Sequence, residues 1–438
     1  MRALWARLTG SLWFVPTTAV ILAIVLAIAM VEVDGMLNVD LGARWPRLFG
    51  AAPDGARGML TAIAGSTITV AGVVFSVTIV ALSLAASQYS PRVLRTFTSD
   101  RATQVVLGVF VSVFAYCLVV LRTIRDHEAT SFVPAMAVLG GLILALVSIG
   151  FFVYFIHHLA ESIQAAAILS RISAATVRAI DQLFPDELGD SPNESDGNID
   201  VDESAASLIV PARKTGYICT VDGDGLIRFA CDHDRIVRMG AAIGDFVIEG
   251  QPLVLLEGNA RLSDREQKTL NAKFYFGVAR TIQQDVSYGV QQIVDMGCKA
   301  LSPGINDAST ALLCIDRLSE LLVRIARRRI STPLMYAEQK LRVVARGPTF
   351  ESLVELSYRN LRNNSRGQVR VLIHLVASIA QVAMATANKR RRDVLVAELN
   401  QFAELASSLP EPAFERRRLD DCLNRVRAVL CGSVTSAS

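Results

Sequence analysis

Two short stretches hold side chains whose types and spacing suit chemistry. Arg280, Gln284, Asp285 and Asp295 lie along one amphipathic stretch, and Leu301-Ser302-Pro303-Gly304-Ile305-Asn306-Asp307 interrupts it. An arginine beside carboxylates makes an ion pair, a ligand grip or an acid–base couple, depending on burial. No His or Cys stands at a plausible sequence distance to complete a catalytic set. No Ser sits in a Gly-x-Ser-x-Gly elbow, and no phosphate loop occurs. The reading is therefore structural: Pro303-Gly304 turns the chain, and Asn306 or Asp307 caps the next helix. A ligand or ion site in that turn, involving Ser302, is the alternative, and enzymatic activity is not expected.

Two further constellations are weaker. His157 and Glu161 stand one helical turn apart beside His158, which fits polar anchors at a membrane interface better than a metal pair. Asp222-Gly223-Asp224-Gly225 lacks the remaining positions of a calcium loop and reads as a turn. Neither a metal nor a cofactor is expected.

The other chemistry-bearing pattern lies in an apolar run. Gly65, Thr69, Gly72, Ser76, Ser83 and Ser87 recur in steps of four, three, four, seven and four, which places them on one helix face. The bulkier Ile63, Val70, Val74, Val77 and Leu84 fall mainly off that stripe. Two readings stand: close helix packing through small residues, or a pore lining in which hydroxyls replace water. Pro91, in Gln88-Tyr89-Ser90-Pro91-Arg92, is expected to end or bend this helix.

The elements positioning these residues follow from hydropathy. Of 438 residues 52% are hydrophobic, and mean hydropathy is +0.39. The excess sits in four runs, about 12–31, 59–86, 105–121 and 133–156, each long enough to span a bilayer and free of Asp, Glu, Lys and Arg. Trp13, Phe14, Tyr89, Phe132 and Tyr154 lie near their ends, where amphipathic rings sit. Four spans put both termini on one side. Arg2, Arg7, Arg92, Arg95 and Arg101 on that side balance Arg44, Arg47, Arg57, Arg122 and Arg125 on the other. Arg171 and Arg178 beyond the fourth span tip the bias towards cytoplasmic termini in a bacterial inner membrane. Seven scattered cysteines without a CxxC pair suit a reducing compartment for the large C-terminal region. The basic clusters Arg327-Arg328-Arg329 and Lys389-Arg390-Arg391-Arg392 read as helix C-terminal charge on a solvated face, so no nucleic-acid partner is expected.

No Gly or Pro occurs between Phe151 and Phe184, so the fourth span is expected to run on as one helix over 157–184. Residues 185–206 are acidic and rich in Ser, Asp and Asn, as in a linker. A small β-rich domain is expected over 207–260, with strands at Ser207–Pro211, Tyr217–Val221, Ile236–Met239 and Leu253–Leu256 and a short helix at Leu226–Cys231. Its Gly244-Asp245-Phe246-Val247, Gly250 and Pro252 resemble the hairpin of biotinyl and lipoyl carrier barrels. No lysine stands in that hairpin, so the resemblance implies a structural barrel without carrier function. The remainder, 261–438, is expected to be helical: about 263–300, Ala308–Arg328, Thr349–Asn363, Val369–Asn388, Arg392–Ser407 and Ala413–Leu430.

Taken together, Gln88-Tyr89-Ser90-Pro91-Arg92, His157-His158-Leu159-Ala160, the Gly244 turn, Arg280-Thr281 with Gln284-Asp285, and the Ala300–Ala311 stretch resemble a bacterial family of predicted membrane proteins with a domain of unknown function, number twenty-two fifty-four. The resemblance implies an α-helical membrane protein of four transmembrane helices with a cytoplasmic α+β region, and brings no activity. The residues themselves support two functional readings. One is a homo-oligomeric, channel-like protein whose second span lines an axis gated by the cytoplasmic domain. The other is a non-conducting sensor or scaffold that binds a ligand or protein through that domain.

Overall fold

In a computed structural model the described residues are 13–37, 53–88, 101–125, 132–184, 207–257, 262–328, 334–337, 339–408 and 413–431. Expectations that rest on Tyr89–Arg92, on the linker or on Arg329 lie outside them. The chain divides into two compact units, Met1–Ala167 and Ile168–Ser438.

The first unit contains α1 (Phe14–Leu37), α2 (Pro53–Gln88), α3 (Arg101–Thr123) and α4 (Ala135–Ser162). All four are long and apolar enough to cross a membrane. They run past the expected charge-free cores, so Glu32, Asp34, Arg57 and Arg122 lie on helix ends. Two of these charges find partners there. Asp34 accepts from the backbone amides of Met136 at 3.2 Å and Ala137 at 3.0 Å, capping α4 from another helix. Arg57 donates to the Ile124 carbonyl at 3.2 Å near the end of α3. The core around Leu60, Tyr116, Cys117 and Ala137 closes so tightly that a Cβ on Gly141 would stand 2.9 Å from Leu60.

α4 stops at Ser162, and α5 (Ala165–Leu183) begins after only Ile163 and Gln164. This corrects the expected unbroken helix. The Gln164 amide bonds the Glu161 carbonyl, three residues back, and the α-helical ladder is lost there. No local breaker causes it; Ile168, Leu169, Ile172, Ala179 and Ile180 form a buried face belonging to the second unit.

The second unit is mixed α/β. Strands β1 (Ser207–Pro211), β2 (Gly216–Val221), β3 (Val237–Met239) and β5 (Pro252–Glu257) form where expected, with α6 (Gly223–Asp232) between β2 and β3, and the Gly244 hairpin contributes a short β4 (Phe246–Val247). The barrel expectation is overturned. β7 (Leu334–Ala337) and β8 (Lys340–Val344) complete a five-stranded sheet in the order β1-β5-β3-β8-β7, and β6 (Phe274–Gly277) joins β2 and β4 in a three-stranded one. β8 pairs in parallel with β3, so the sheet opens to admit a distant hairpin instead of closing on itself. The expected helix over 263–300 is likewise four elements: α7 (Asp264–Asn271), β6, a 3-10 turn (Ile282–Gln284) and α8 (Val286–Ala300). α9 (Ala308–Ala326), α10 (Phe350–Asn364), α11 (Val369–Met384), α12 (Lys389–Ser408) and α13 (Ala413–Leu430) complete the unit, close to the expected bounds.

Candidate functional site

Two places in the molecule gather the predicted residues, one in each unit. In the membrane unit, α2 buries Ala56, Leu60, Ala64, Thr67, Ala71, Val74, Ala81 and Ala85 against its neighbours. At ~100° per residue these form one stripe. Gly65, Thr69, Gly72, Ser76, Ser83 and Ser87 are all exposed, and on the same helical arithmetic they point roughly away from that packing stripe. A Cβ at Gly65 or Gly72 would meet nothing within 4 Å. The small-residue stripe therefore does no packing within its own chain.

Two of its hydroxyls are satisfied locally: Thr69 donates to the Gly65 carbonyl at 2.8 Å and Ser87 to the Leu84 carbonyl at 2.9 Å. Hydroxyl polarity alone therefore does not keep the stripe from lipid. Bulk distinguishes it. The exposed faces of α1 and α4 carry Leu22, Val25, Leu146, Ile149 and Val153, whereas this strip of α2 offers glycines and hydroxyls, the residues that let helix backbones approach.

In the second unit Asp285 is 4% exposed and anchors a compact junction. It receives Arg280 through two parallel bonds, Nε to Oδ2 at 2.8 Å and Nη2 to Oδ1 at 2.9 Å, and caps α8 through the Tyr288 amide at 2.9 Å. The Arg280 guanidinium also stands 5.1 Å from the Tyr288 ring centre. Gly244, at φ +93°, presses its Cα against this pair; a Cβ there would stand 2.8 Å from Arg280 Nη2. Gln284 accepts the Val221 amide at 2.9 Å, closing the end of β2. The glycine turn, Arg280 and the Gln-Asp pair are thus one structural lock.

The rest of the predicted set is elsewhere. Asp307 caps α9, accepting the Thr310 amide at 3.1 Å and the Thr310 hydroxyl at 2.5 Å. The hydroxyl first, then the amide, holds its carboxyl below the usual range. Asn306 adopts φ +51° and accepts from Gln368 at 2.9 Å, and the Ser302 hydroxyl donates to the Lys299 carbonyl at 2.6 Å. Asp285 and Asp307 stand at opposite ends of α8, about 22 Å apart along its axis at 1.5 Å per residue. Asp295 lies between them and accepts from Gln291 at 2.6 Å. The two stretches do not converge on one site.

His157 and Glu161 pair at 3.3 Å on an exposed face. Asp222 caps α6 through the Gly225 amide at 2.9 Å, so the Asp-Gly-Asp-Gly stretch starts a helix. Among the described residues no group of three or more His, Cys, Asp or Glu is placed to hold a metal ion.

Several functional-looking residues were not singled out by spacing. Arg391 was expected on a solvated helix end, yet it is 3% exposed at the start of α12. It donates to the Ala326 and Arg328 carbonyls, each at 2.9 Å, and so serves the C-terminus of α9 instead of its own helix. Also on α9, Arg324 grips Asp181 of α5 with two bonds at 2.8 and 2.9 Å. Arg328 binds the same carboxylate at 2.9 Å and the Phe184 carbonyl at 2.6 Å. A cleft of about 490 Å³ opens along this face of α9. Its signal in sequence was Asp316, Glu320, Arg324 and Arg327 at near-helical steps, a pattern that also describes an ordinary solvated face.

Comparison with known proteins agrees with the architecture. The model of a family described as predicted membrane protein (DUF2254) matches residues 9–381. Uncharacterized protein MT1328 of Mycobacterium tuberculosis (strain CDC 1551 / Oshkosh) is 32% identical over 401 residues, covering 89% of this chain and 75% of its own. Uncharacterized protein Mb1321c of Mycobacterium bovis is similar to the same extent, 32% over 401 residues with the same coverage. No solved structure matches the chain. A membrane unit of four apolar helices, a mixed α/β unit and this match over most of the sequence together place the chain in the DUF2254 family of predicted membrane proteins.

Proposed function

We propose that this is a channel-like, homo-oligomeric protein of the bacterial inner membrane, with the small-residue faces of its α2 helices gathered around a common axis. The observation that carries the reading is the outward face of α2. Gly65, Thr69, Gly72 and Ser76 are uncovered in one chain and lack the bulk of the apolar surfaces beside them. A second copy covers such a face with close backbone contact, and closed symmetry turns repeated contacts into a ring. Four helices in one chain enclose no wide conduit, so conduction needs that ring. Both termini and the second unit are assigned to the cytoplasm, and α5, two residues from the end of α4, is the mechanical link between the units' movements.

In this reading the protein is not an enzyme. Asp285 and Asp307 cap helices, and Asp285 holds Arg280, which leaves neither carboxylate poised on a substrate. The test is conductance of the purified protein in planar bilayers. The parent protein conducts, and Thr69→Leu with Ser76→Leu reduces or abolishes the current. A silent parent, or currents unchanged by both substitutions, removes the conduit. A stable oligomer without current leaves the sensor or scaffold reading in its place.

A further inference from the structure

The cleft on α9 gathers its positive charge at one end. Arg324, Arg327 and Arg328 stand at its basic end, one helical turn in span. Asp181 engages two of them, and Arg327 makes no ion pair among the described residues. Glu320, one turn before Arg324, is held by Arg317, so Asp181 is the carboxylate bonded among these three arginines, and that end keeps a positive excess suited to a dianion. Guanidinium forks bind the oxygens of a phosphate through paired hydrogen bonds, as they do a carboxylate, and a phosphate monoester brings up to two charges where a carboxylate brings one.

The other end of the cleft has the opposite character. Asp316 and Glu320 lie there, and Gln381 of α11 lines the cleft as well. Asp316 and Arg327 are about 16 Å apart along α9 at 1.5 Å per residue. Asp316 already takes His374 at 2.6 Å, and Glu320 takes Arg317 at 2.9 Å and Ser173 at 3.2 Å. Their remaining lone pairs accept from hydroxyls and amines, so the two ends suit a phosphate at one side and donors at the other. The volume of about 490 Å³ is that of a small-molecule site.

We infer that this cleft binds a phosphate monoester carrying hydroxyl or amino donors, with Arg324, Arg327 and Arg328 on the phosphate. Asp181 is then an internal competitor. Ligand phosphate draws Arg324 and Arg328 from the carboxylate that fastens α5, so occupancy and α5 docking oppose each other. The inference stands apart from conduction, because binding is read without current.

The same chemistry could be offered by a soluble ester or by a lipid headgroup, and the experiment separates the two sources. Full-length protein in phospholipid-free detergent is titrated calorimetrically with glycerol 3-phosphate and, in a second arm, with short-chain phosphatidic acid. Saturable glycerol 3-phosphate binding is expected, weakened at least tenfold by Arg327→Gln and partly restored by Arg327→Lys. Asp181→Asn is expected to tighten it several-fold, and Arg370→Gln, an exposed change on α11 outside the cleft, to leave it unchanged. Saturation by the phosphatidic acid alone, with the same response to Arg327→Gln, assigns the site to a headgroup phosphate. No saturation in either arm at millimolar ligand, or equal affinity in the parent and Arg327→Gln with matched melting temperatures, overturns the inference.

Discussion

Gly244 rests directly on the carboxylate of Asp285, closely enough that a Cβ at position 244 would overlap Oδ2. The turn before β4 and the cap of α8 are therefore one construction, held by the Arg280–Asp285 pair. Its glycine is required twice, for a left-handed φ of +93° and for want of space. Gly250, at φ +89°, has nothing within 4 Å and isolates the first cause. Gly250→Ala is expected to cost about 1–2 kcal/mol, the usual penalty of a left-handed non-glycine residue. Gly244→Ala is expected to cost about 3 kcal/mol, because overpacking adds to that strain. Denaturant unfolding of the two variants checks the order; equal costs would contradict the contact.

Asp285→Asn tests the pair itself. The substitution keeps an acceptor for the Tyr288 amide but leaves Arg280 without its counter-charge at a partly buried site, and a loss of about 2 kcal/mol is expected. Arg280→Gln combined with Asp285→Asn should lose less than the sum of the two. Strict additivity in the double-mutant cycle would show that the residues act separately.

How far these features were legible in sequence depends on how local their causes are. α13 was bounded correctly because Ala413–Leu430 keeps a helical pattern from end to end. The α2 stripe was visible for the same reason, although its direction was not: period places residues on one face without saying which face meets the bundle. β6 was read as helix because Phe274-Tyr275-Phe276-Gly277 is a short apolar run flanked by amphipathic segments, where period decides little. The β7–β8 hairpin escaped because it turns through Gln339 at φ +62°, with no Asn-Gly or Asp-Gly to announce it. Its partner β3 lies far back in the chain. The lock shows the same limit. Gly244, Arg280 and Asp285 each stood out, but their convergence is tertiary.

The docking of α5 has a steric signature. A Cβ on Gly289 of α8 would stand 2.8 Å from Thr176 Cγ2 and 2.9 Å from Thr176 Cβ. Gly289→Ala is therefore expected to loosen α5, by about 1–3 kcal/mol of overpacking. Thr176→Ala in the same chain should recover part of that loss, since the hydroxyl and methyl are removed while Cβ remains. Protease sensitivity of α5 and thermal unfolding report both effects; a second change that adds to the first would place the contact elsewhere.

Acid should loosen the second unit through its caps. The Asp307 carboxyl is held low by the Thr310 hydroxyl and amide, and Asp222 by the Gly225 amide, with Lys273 adding to it. Both folded values lie below the unfolded one of about 3.9, so their stabilisation is complete above about pH 5. It is lost as pH falls through the lowered folded values. Asp307→Asn should be less stable than the parent at neutral pH and show a shallower acid limb. An unaltered limb would mean that Asp307 titrates alike in folded and unfolded chains.

Thiol reactivity separates buried from open positions. Burial, with Asp295 nearby, pushes the Cys298 thiol up to about 11, and burial raises Cys314 further. Cys431 is exposed. Maleimide at neutral pH should label Cys431 first, with Cys298 and Cys314 reacting only on unfolding. Mass spectrometry of peptides decides this, and early labelling of Cys314 would contradict its packing.

The central claim is that the outward face of α2 meets another copy of itself. Single cysteines at Ser76, on that face, and at Ile143, on an exposed apolar part of α4, test it in intact membranes when placed in a background whose seven native cysteines are replaced by serine or alanine. Mild oxidation should cross-link Ser76→Cys into dimers and leave Ile143→Cys monomeric. Monomers at both positions, or equal cross-linking at both, would contradict the claim.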